Sequence, residues 1–325
     1  MSVSFIGMLA IIKMRSIISF VLIVSCLSVF GQHRSLINKK DTILYLPYQN
    51  GLATFSFDGK MGVIDSSGKV IVPASFDRLN RLFDAEGEFS YRFYYNKKQM
   101  GILNKNYKVI IPVGTYDDID ILIGGYFKVK KDGKFSFIDT TGKRISNWFS
   151  DAGFYRLGLA NVKINGNWGY IDTSGKIKIK PIYAKCDMYS ENGLASFTID
   201  NKNWGFIDTR GEERIAPKYE EIRGFWNGLC EVKNRGLWGY IDSSGKTIIP
   251  FEYKRVDRFD NFGMACVKQK GKYIFIDKSN NQIIKDRYYK ASGFSDNSAN
   301  TMVKTRMFGR WIWINRKGEC VNSCK

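Results

Sequence analysis

The chain has 325 residues, and its 50 Lys and Arg residues against 31 Asp and Glu residues give a formal net charge of +19. Its one histidine, His33, lies near the N-terminus, which excludes a Ser-His-Asp triad and a histidine-rich metal site from the body of the chain. An apolar fraction of 44% argues against disorder, and the length suits either two domains or one array of repeats.

The N-terminal segment has the pattern of an export signal. Residues 17–30 form an uncharged apolar run, and Lys13 and Arg15 stand just before it. A basic region followed by an apolar region is typical of a secretory signal peptide. We therefore predict a signal segment over residues 1–31, with Met14 as an alternative start.

Cys26 introduces a second interpretation of this segment. The residues around it resemble the lipobox of bacterial lipoproteins, in which the cysteine is acylated after cleavage. Lipidation at Cys26 therefore competes with soluble secretion and with an uncleaved membrane anchor. All three predict an exported protein, whether periplasmic, associated with the outer membrane or secreted.

Five further cysteines follow the signal segment. Cys320 and Cys324 are close enough in sequence for a local disulfide at the C-terminus. The other three are predicted to be small buried residues. A Cys-x3-Cys pair without a nearby histidine does not indicate zinc, and we predict no metal and no cofactor.

One short pattern recurs through the body of the chain. Trp-Gly-aromatic-Ile-Asp begins at Trp168, Trp204 and Trp238, and weaker copies stand at the same spacing elsewhere. The acid or amide that ends each copy falls at Asp65, Asn104, Asp139, Asp172, Asp208, Asp242, Asp277 and Asn315. A period of about 35 residues predicts eight units over residues 51–325, after a leader over residues 32–50.

The pattern resembles the WG-repeat family of bacterial exported proteins, which is named after the Trp-Gly dipeptide. A segment similar to Gly193-Leu194-Ala195 precedes the dipeptide, and an apolar segment with proline follows it, as at Ile248-Ile249-Pro250. The resemblance covers residues 51–325. It implies an array of β-repeats and supports a binding role.

Each unit predicts short antiparallel strands. Apolar residues alternate with small or polar ones in 159–163 and 168–172, and Asn165-Gly166 between them is a hairpin signal. We predict an all-β fold of about eight antiparallel β-meander repeats of ~35 residues. We favour a propeller-like ring over an open β-solenoid, because leader residues 42–47 resemble the closing strand that the last unit lacks.

The tryptophans divide into two groups. Trp168, Trp204 and Trp238 are predicted to be core residues, since other units replace them with Met or Phe, which supply volume without the same ring. Trp148 and Trp226 fall outside the repeated strand. They are the better candidates for exposed aromatics that bind a ligand, and a core role is the alternative.

The positions of the acidic residues indicate turns and loops, not a catalytic site. The repeated Asp, as at Asp172, begins a turn and supplies one carboxylate, which is too few for a calcium loop. The acidic clusters are predicted to be solvated loops: Asp117, Asp118 and Asp120, Glu212 and Glu213, and Glu220 and Glu221.

Two lysine triplets alternate with other residues: Lys176, Lys178 and Lys180, and Lys268, Lys270 and Lys272. On a strand, such spacing places three ammonium groups on one face. The face either is merely solvated and discourages edge pairing, or contacts an anionic ligand. Residues 263–325 contain thirteen Lys and Arg against four Asp and Glu, whereas residues 193–262 contain eleven of each.

These patterns predict an exported, non-catalytic repeat protein that serves as a binding or scaffold module at the cell envelope. Its expected partner is an anionic glycan, a lipid surface or another protein. Nucleic acid is not expected for an exported chain. The alternative is a hydrolase of cell-envelope polymers that uses paired carboxylates.

Overall fold

The computed structural model describes residues 52–83, 89–95, 99–104, 108–296, 298–307 and 309–322. The predicted signal segment, the leader, Cys26 and Cys324 lie outside the described residues. Across these ranges every regular element is a β-strand, and no helix is long and apolar enough to cross a membrane. The predicted all-β fold is confirmed.

The strands form eight antiparallel sheets in the described part of the chain, and neighbours in each sheet are neighbours in sequence. The first sheet contains β1 (Leu52–Phe57), β2 (Lys60–Asp65) and β3 (Val70–Phe76). The second contains β4 (Arg78–Phe83), β5 (Phe89–Tyr95), β6 (Gln99–Leu103) and β7 (Val109–Ile111). The third contains β8 (Asp118–Ile123), β9 (Tyr126–Lys131) and β10 (Lys134–Asp139).

The remaining five sheets follow in the same manner. The fourth contains β11 (Asp151–Arg156), β12 (Leu159–Ile164), β13 (Asn167–Asp172) and β14 (Ile177–Tyr183). The fifth contains β15 (Lys185–Cys186), β16 (Leu194–Thr198), β17 (Trp204–Asp208) and β18 (Glu213–Tyr219). The sixth contains β19 (Glu221–Trp226), β20 (Leu229–Asn234), β21 (Leu237–Ile241) and β22 (Thr247–Tyr253). The seventh contains β23 (Arg255–Val256), β24 (Ala265–Gln269) and β25 (Lys272–Ile276), and the eighth β26 (Lys290–Ala291), β27 (Asn300–Lys304), β28 (Trp311–Asn315) and β29 (Cys320–Asn322).

The chain divides into two compact units. One holds the residues up to Gly133 together with Phe137–Arg144, and the other holds Lys134–Ser136 and the residues from Ile145 onward. The meander topology that the repeats predict is present in both. The expectation that the last unit lacks its closing strand was wrong, because the three residues of β29 pair with β28. The choice between a ring and a solenoid stays a prediction.

Turn chemistry sets the ends of the strands. Asn165 and Gly166, which join β12 to β13, both have positive φ angles, 50° and 88°, as a two-residue hairpin turn requires. The repeated Asp closes the next turn. The Asp172 carboxylate accepts hydrogen bonds from the Ser174 hydroxyl at 2.6 Å and from the backbone N–H of Ser174 and Lys176. The predicted structural role of this Asp is thereby supported.

The glycine of the Trp-Gly dipeptide lies against the edge strand. A Cβ atom on Gly169 would lie 2.6 Å from the Ile179 carbonyl oxygen and 2.7 Å from the Pro181 nitrogen, closer than real Cβ contacts occur. The register between β13 and β14 shifts on both sides of Tyr170, so the edge strand bulges over this point. Pro181 lies within this edge strand, where no further ladder hydrogen bond is needed.

The core lies between consecutive sheets, where one aromatic pair recurs at the period of the repeat. An aromatic of the third strand of one sheet packs against an aromatic that follows or ends the first strand of the next sheet. Their ring centroids are 4.8–5.4 Å apart. The pairs are Tyr170 with Tyr189, Phe206 with Phe225, Tyr240 with Phe259, and Phe275 with Phe294. Where the first member is tyrosine, its hydroxyl also donates to the next sheet, as from Tyr170 to the Asp187 carbonyl at 2.7 Å.

The close approach at the dipeptide predicts a large cost for a single methyl group. A Cβ atom on Gly205 would lie 2.4 Å from the Ile215 carbonyl oxygen. Gly205→Ala should therefore lower the free energy of unfolding by ~1–3 kcal/mol in chemical denaturation. Gly309→Ala is the control, because the nearest atoms there are 3.4 Å away and the change should be small. Equal losses in the two variants would contradict this account of the dipeptide.

Candidate functional site

Lysine side chains face aromatic rings at one repeated cross-strand position. In each case the lysine is on the second strand of a sheet and the ring is on the third. The pairs are Lys163 with Trp168, Lys233 with Trp238, Lys268 with Tyr273, and Lys304 with Trp311. In the first three, the ammonium nitrogen lies 5.3–6.0 Å from the ring centroid, within the range of a cation–π interaction. We call these four pairs the lysine–aromatic row.

The row places its cations on rings that belong partly to the core. Trp168 is half-buried and packs against the cluster between the fourth and fifth sheets, and Trp238 is buried at 7% exposure. The predicted core role of these tryptophans is therefore compatible with a second role for their outer surface. Lys233 is also ion-paired with Glu221 at 2.6 Å, so its charge is partly compensated.

The first predicted lysine triplet lies on an edge strand. Lys178 and Lys180 are exposed on β14, and Lys176 is exposed in the turn before it. Ile179 between the last two is buried at 6% exposure, as strand alternation requires. Their predicted contact with an anionic ligand stays a prediction.

The second triplet differs from the expected strand face. The chain turns at Lys270, which has a φ angle of 48°, so Lys268 is on β24 and Lys272 begins β25. The prediction of one continuous strand was wrong here. Lysines at every second position occur both along a strand and across a two-residue hairpin turn, so the spacing alone does not distinguish the two. The Lys272 ammonium lies 5.5 Å from the Tyr289 ring. Lys272 is opposite Gln269 and Lys268 is opposite Tyr273, so the two lysines lie on opposite faces of the hairpin.

Trp226 is exposed and Trp148 is half-buried. Trp226 ends β19 at 37% exposure, and the guanidinium carbon of Arg258 lies 5.2 Å from its ring centroid. The expected exposure is therefore found for Trp226 and not for Trp148. A ligand role for Trp226 stays a prediction.

A buried acid that the sequence analysis missed lies beside Trp226's partner Arg258. Glu231 on β20 is only 3% exposed, and burial raises the pKa of its carboxyl to about 7. The Asp257 carboxylate adds to this shift, whereas the charges of Arg223 and Arg258 oppose it. The repeat offers a signal that could have found this position, because Asn161 and Ser196 are the buried polar residues at the same place in the two preceding units.

The prediction that the acidic clusters are solvated loops was wrong in part, because β8 begins at Asp118, β18 at Glu213 and β19 at Glu221. Their members make local contacts. Glu212 bonds Arg210 at 2.8 Å, and Glu220 accepts a hydrogen bond from the Gly236 backbone. Asp120 pairs with Lys128 at 3.0 Å. Within the described ranges, no cluster of His, Cys, Asp or Glu has three members placed to hold a metal ion.

The cysteines fall into two classes. Cys186, Cys230 and Cys266 are buried free thiols, and burial raises the pKa of Cys230 to about 12. Cys320 at the start of β29 is disulfide-bonded. Its predicted pairing with Cys324 stays a prediction, because Cys324 lies outside the described residues.

The repeat pattern is that of a known family. The family model described as WG containing repeat matches residues 61–87, 100–135, 168–202, 204–238 and 238–273. These stretches cover just over half of the chain, which therefore belongs to the WG-repeat family. The resemblance predicted from the dipeptides is confirmed. No curated protein matches the chain.

Solved structures with a similar arrangement have little sequence in common with this chain. A eukaryotic initiation factor matches with 10% identity over 90% of each chain and a TM-score of 0.47. BamB from Moraxella catarrhalis matches with 10% identity over 89% of this chain and 95% of that chain, with a TM-score of 0.38. Hsv2p from Kluyveromyces lactis matches with 12% identity over 69% of this chain and 88% of that chain, with a TM-score of 0.37. Similarity at this level supports no inference about function.

The buried Glu231 predicts a pH dependence of stability. Its ordinary pKa is 4.5 and its folded value is about 7, so between these values the folded chain binds more protons than the unfolded chain. The free energy of unfolding therefore falls as pH rises through this window. Glu231→Gln removes the titrating group and should stabilise the chain by up to ~3 kcal/mol at about pH 8 and much less at about pH 4.

Thermal unfolding at the two pH values measures this difference. Glu191→Gln is the control, because the Glu191 side chain is 85% exposed and its replacement should change the midpoint equally little at both values. A Glu231→Gln effect of the same size at both pH values would contradict a raised pKa at this position.

Proposed function

We propose that this WG-repeat protein is an exported, non-catalytic binding or scaffold module at the cell envelope, and that it recognises an anionic partner. The lysine–aromatic row is the observation that carries the proposal. The apolar run over residues 17–30, with its preceding basic residues, supports export.

The row supports binding because rings hold three of its lysines in place. A free lysine loses rotamer entropy when it meets a ligand, whereas stacking on a ring removes part of that cost in advance. The fourth, sixth, seventh and eighth sheets each contribute one lysine, and such a series of cations suits a polymer or a surface with repeated negative charges. The net charge of residues 263–325, with thirteen basic residues against four acidic ones, extends this field.

The partner we favour is an anionic glycan, with a lipid surface and an acidic protein as the other candidates. Sulfated, phosphorylated or carboxylated sugars carry repeated anions along a chain, which matches a series of cations from several sheets. Nucleic acid is not expected for an exported protein. Heparin is a convenient probe, because it is a densely anionic glycan.

Charge reversal tests the proposal. Replacing Lys268, Lys270 and Lys272 together with Glu removes one member of the row and its two hairpin neighbours. On a heparin column this variant should elute at clearly lower salt than the wild type, because each lost basic contact weakens attraction by about 1 kcal/mol.

The control has the same change in net charge. Lys202, Arg214 and Lys246 are exposed and lie outside the row, so their replacement with Glu should shift elution much less. Equal shifts for the two triple variants would mean that retention reflects net charge alone, and the proposal would then fail.

A hydrolase of cell-envelope polymers is the second candidate. The observation in its favour is that the Glu231 and Asp257 carboxyls interact and that burial raises the pKa of both. Polymer hydrolysis needs such a pair to reach substrate, whereas Glu231 is 3% exposed, which favours the binding role. Release of reducing ends from envelope polysaccharide by the wild type, lost in Glu231→Gln, would reverse this preference.

A further inference from the structure

Two neighbouring hairpin tips place exposed aromatic rings beside cations. The first tip joins β19 to β20 and carries Trp226 and Asn227, and the second precedes β24 and carries Asn261 and Phe262. Trp226 is 37% exposed and Phe262 is 69% exposed. Both tips are at the opposite end of their sheets from the hairpin of Lys270. We call them the aromatic tips.

The Phe262 ring is exposed, but one of its faces packs against other side chains. The guanidinium carbon of Arg316 lies 4.1 Å from the Phe262 ring centroid and 4.7 Å from that of Phe294, so Arg316 is layered between two rings. Arg316 also pairs with the buried Asp260 and donates to the Ser298 carbonyl at 3.1 Å. The Asp260 carboxylate in turn accepts the backbone N–H of Phe262 at 2.9 Å. One ring face therefore rests on a fixed support, and the large exposure belongs to the other face.

Polar contacts join the two tips into one surface. The Asn227 side-chain amide donates to the Asn261 side-chain oxygen at 3.2 Å, and the Lys278 ammonium donates to the Asn227 carbonyl at 2.9 Å. Arg258 lies over Trp226 on the same side. The surface thus combines two rings, two amides and two exposed cations: Trp226, Phe262, Asn227, Asn261, Arg258 and Lys278.

We propose that the aromatic tips bind an acidic oligosaccharide built from uronic acids, with a sugar ring on Phe262 and its neighbour at Trp226. A pyranose presents an apolar face that stacks on an aromatic ring, hydroxyls that bond to amides, and a carboxylate that pairs with Arg258 or Lys278. Neutral sugars offer these two cations no carboxylate. An acidic protein segment fits less well, because the rings are surrounded by amides and charges, whereas protein hot spots lie in surroundings that exclude water.

This inference deepens the proposed function and rests on it, but it uses a different surface. The lysine–aromatic row provides general attraction to polyanions, whereas the aromatic tips select for sugar. The variants distinguish failure of the two proposals. Reversal of Lys268, Lys270 and Lys272 tests the row on heparin, and Phe262→Ala and Trp226→Ala test the tips on hexagalacturonate, which carries no sulfate.

Calorimetric titration of the full chain with hexagalacturonate tests the inference. Phe262→Ala and Trp226→Ala should each weaken binding roughly fivefold to tenfold, the loss expected for one stacking contact. Phe262→Tyr keeps the ring and should bind as the wild type does. Trp313→Ala is the control, because Trp313 is 42% exposed and lies on β28, away from the tips. Thermal unfolding of each variant checks that the fold is kept.

Two further probes decide the ligand class. Maltohexaose, which is neutral, should bind much more weakly than hexagalacturonate. Polyglutamate tests for an acidic protein ligand, and any affinity for it should be the same in Phe262→Ala as in the wild type. The inference is overturned by absence of hexagalacturonate binding, by binding that both alanine variants retain, or by equal affinity for maltohexaose. Loss of polyglutamate binding in the same variants would assign the tips to an acidic protein instead. Heparin retention that persists in any of these cases leaves the proposed function standing.

Discussion

The structure depends on one close approach, that of the edge-strand carbonyl to the glycine of the Trp-Gly dipeptide. At Gly169, Gly205 and Gly239 the position of a Cβ atom is 2.4–2.6 Å from the carbonyl oxygen of an edge-strand isoleucine. Only a residue without a side chain allows this contact. The bulge that results turns the edge strand over the third strand and sets where the flanking aromatic residues lie. Because it recurs at Gly62 and Gly101 as well, the same geometry is built again in five of the sheets. Ser136, Ile274 and Ile312 stand at this position in the other three.

The regular geometry explains why the proposed binding surfaces lie on the hairpins. The inner aromatics are used between sheets, as in the pair Tyr170 and Tyr189, and burial there leaves no surface for a ligand. The tryptophan that precedes the glycine is nearer to the hairpin, so its outer surface is available to a lysine from the adjacent strand. At the other end of the sheets, the tips differ in sequence from one unit to the next without disturbing the core, and Trp226 and Phe262 lie on two of these tips.

The sequence was sufficient for the elements with strong local signals. The Trp-Gly-aromatic-Ile-Asp strand, its hairpin and the Asp turn were predicted because each is set by neighbouring residues. The short first strands, such as β23 with two residues, have too few positions to show alternation. Lys268 and Lys272 were misassigned to one strand because only the positive φ of Lys270 reveals the turn. Glu231 was missed because its burial depends on the next sheet, which is a tertiary effect.

The central claim is that the lysines of the row contact an anionic partner because rings hold them in place. Lysine acetylation with and without heparin, followed by mass spectrometry, measures this contact residue by residue. The account predicts that heparin protects Lys163 and Lys268 strongly, while Lys246 and Lys254 stay reactive. Uniform protection of all four lysines, or protection confined to Lys246 and Lys254, would contradict it.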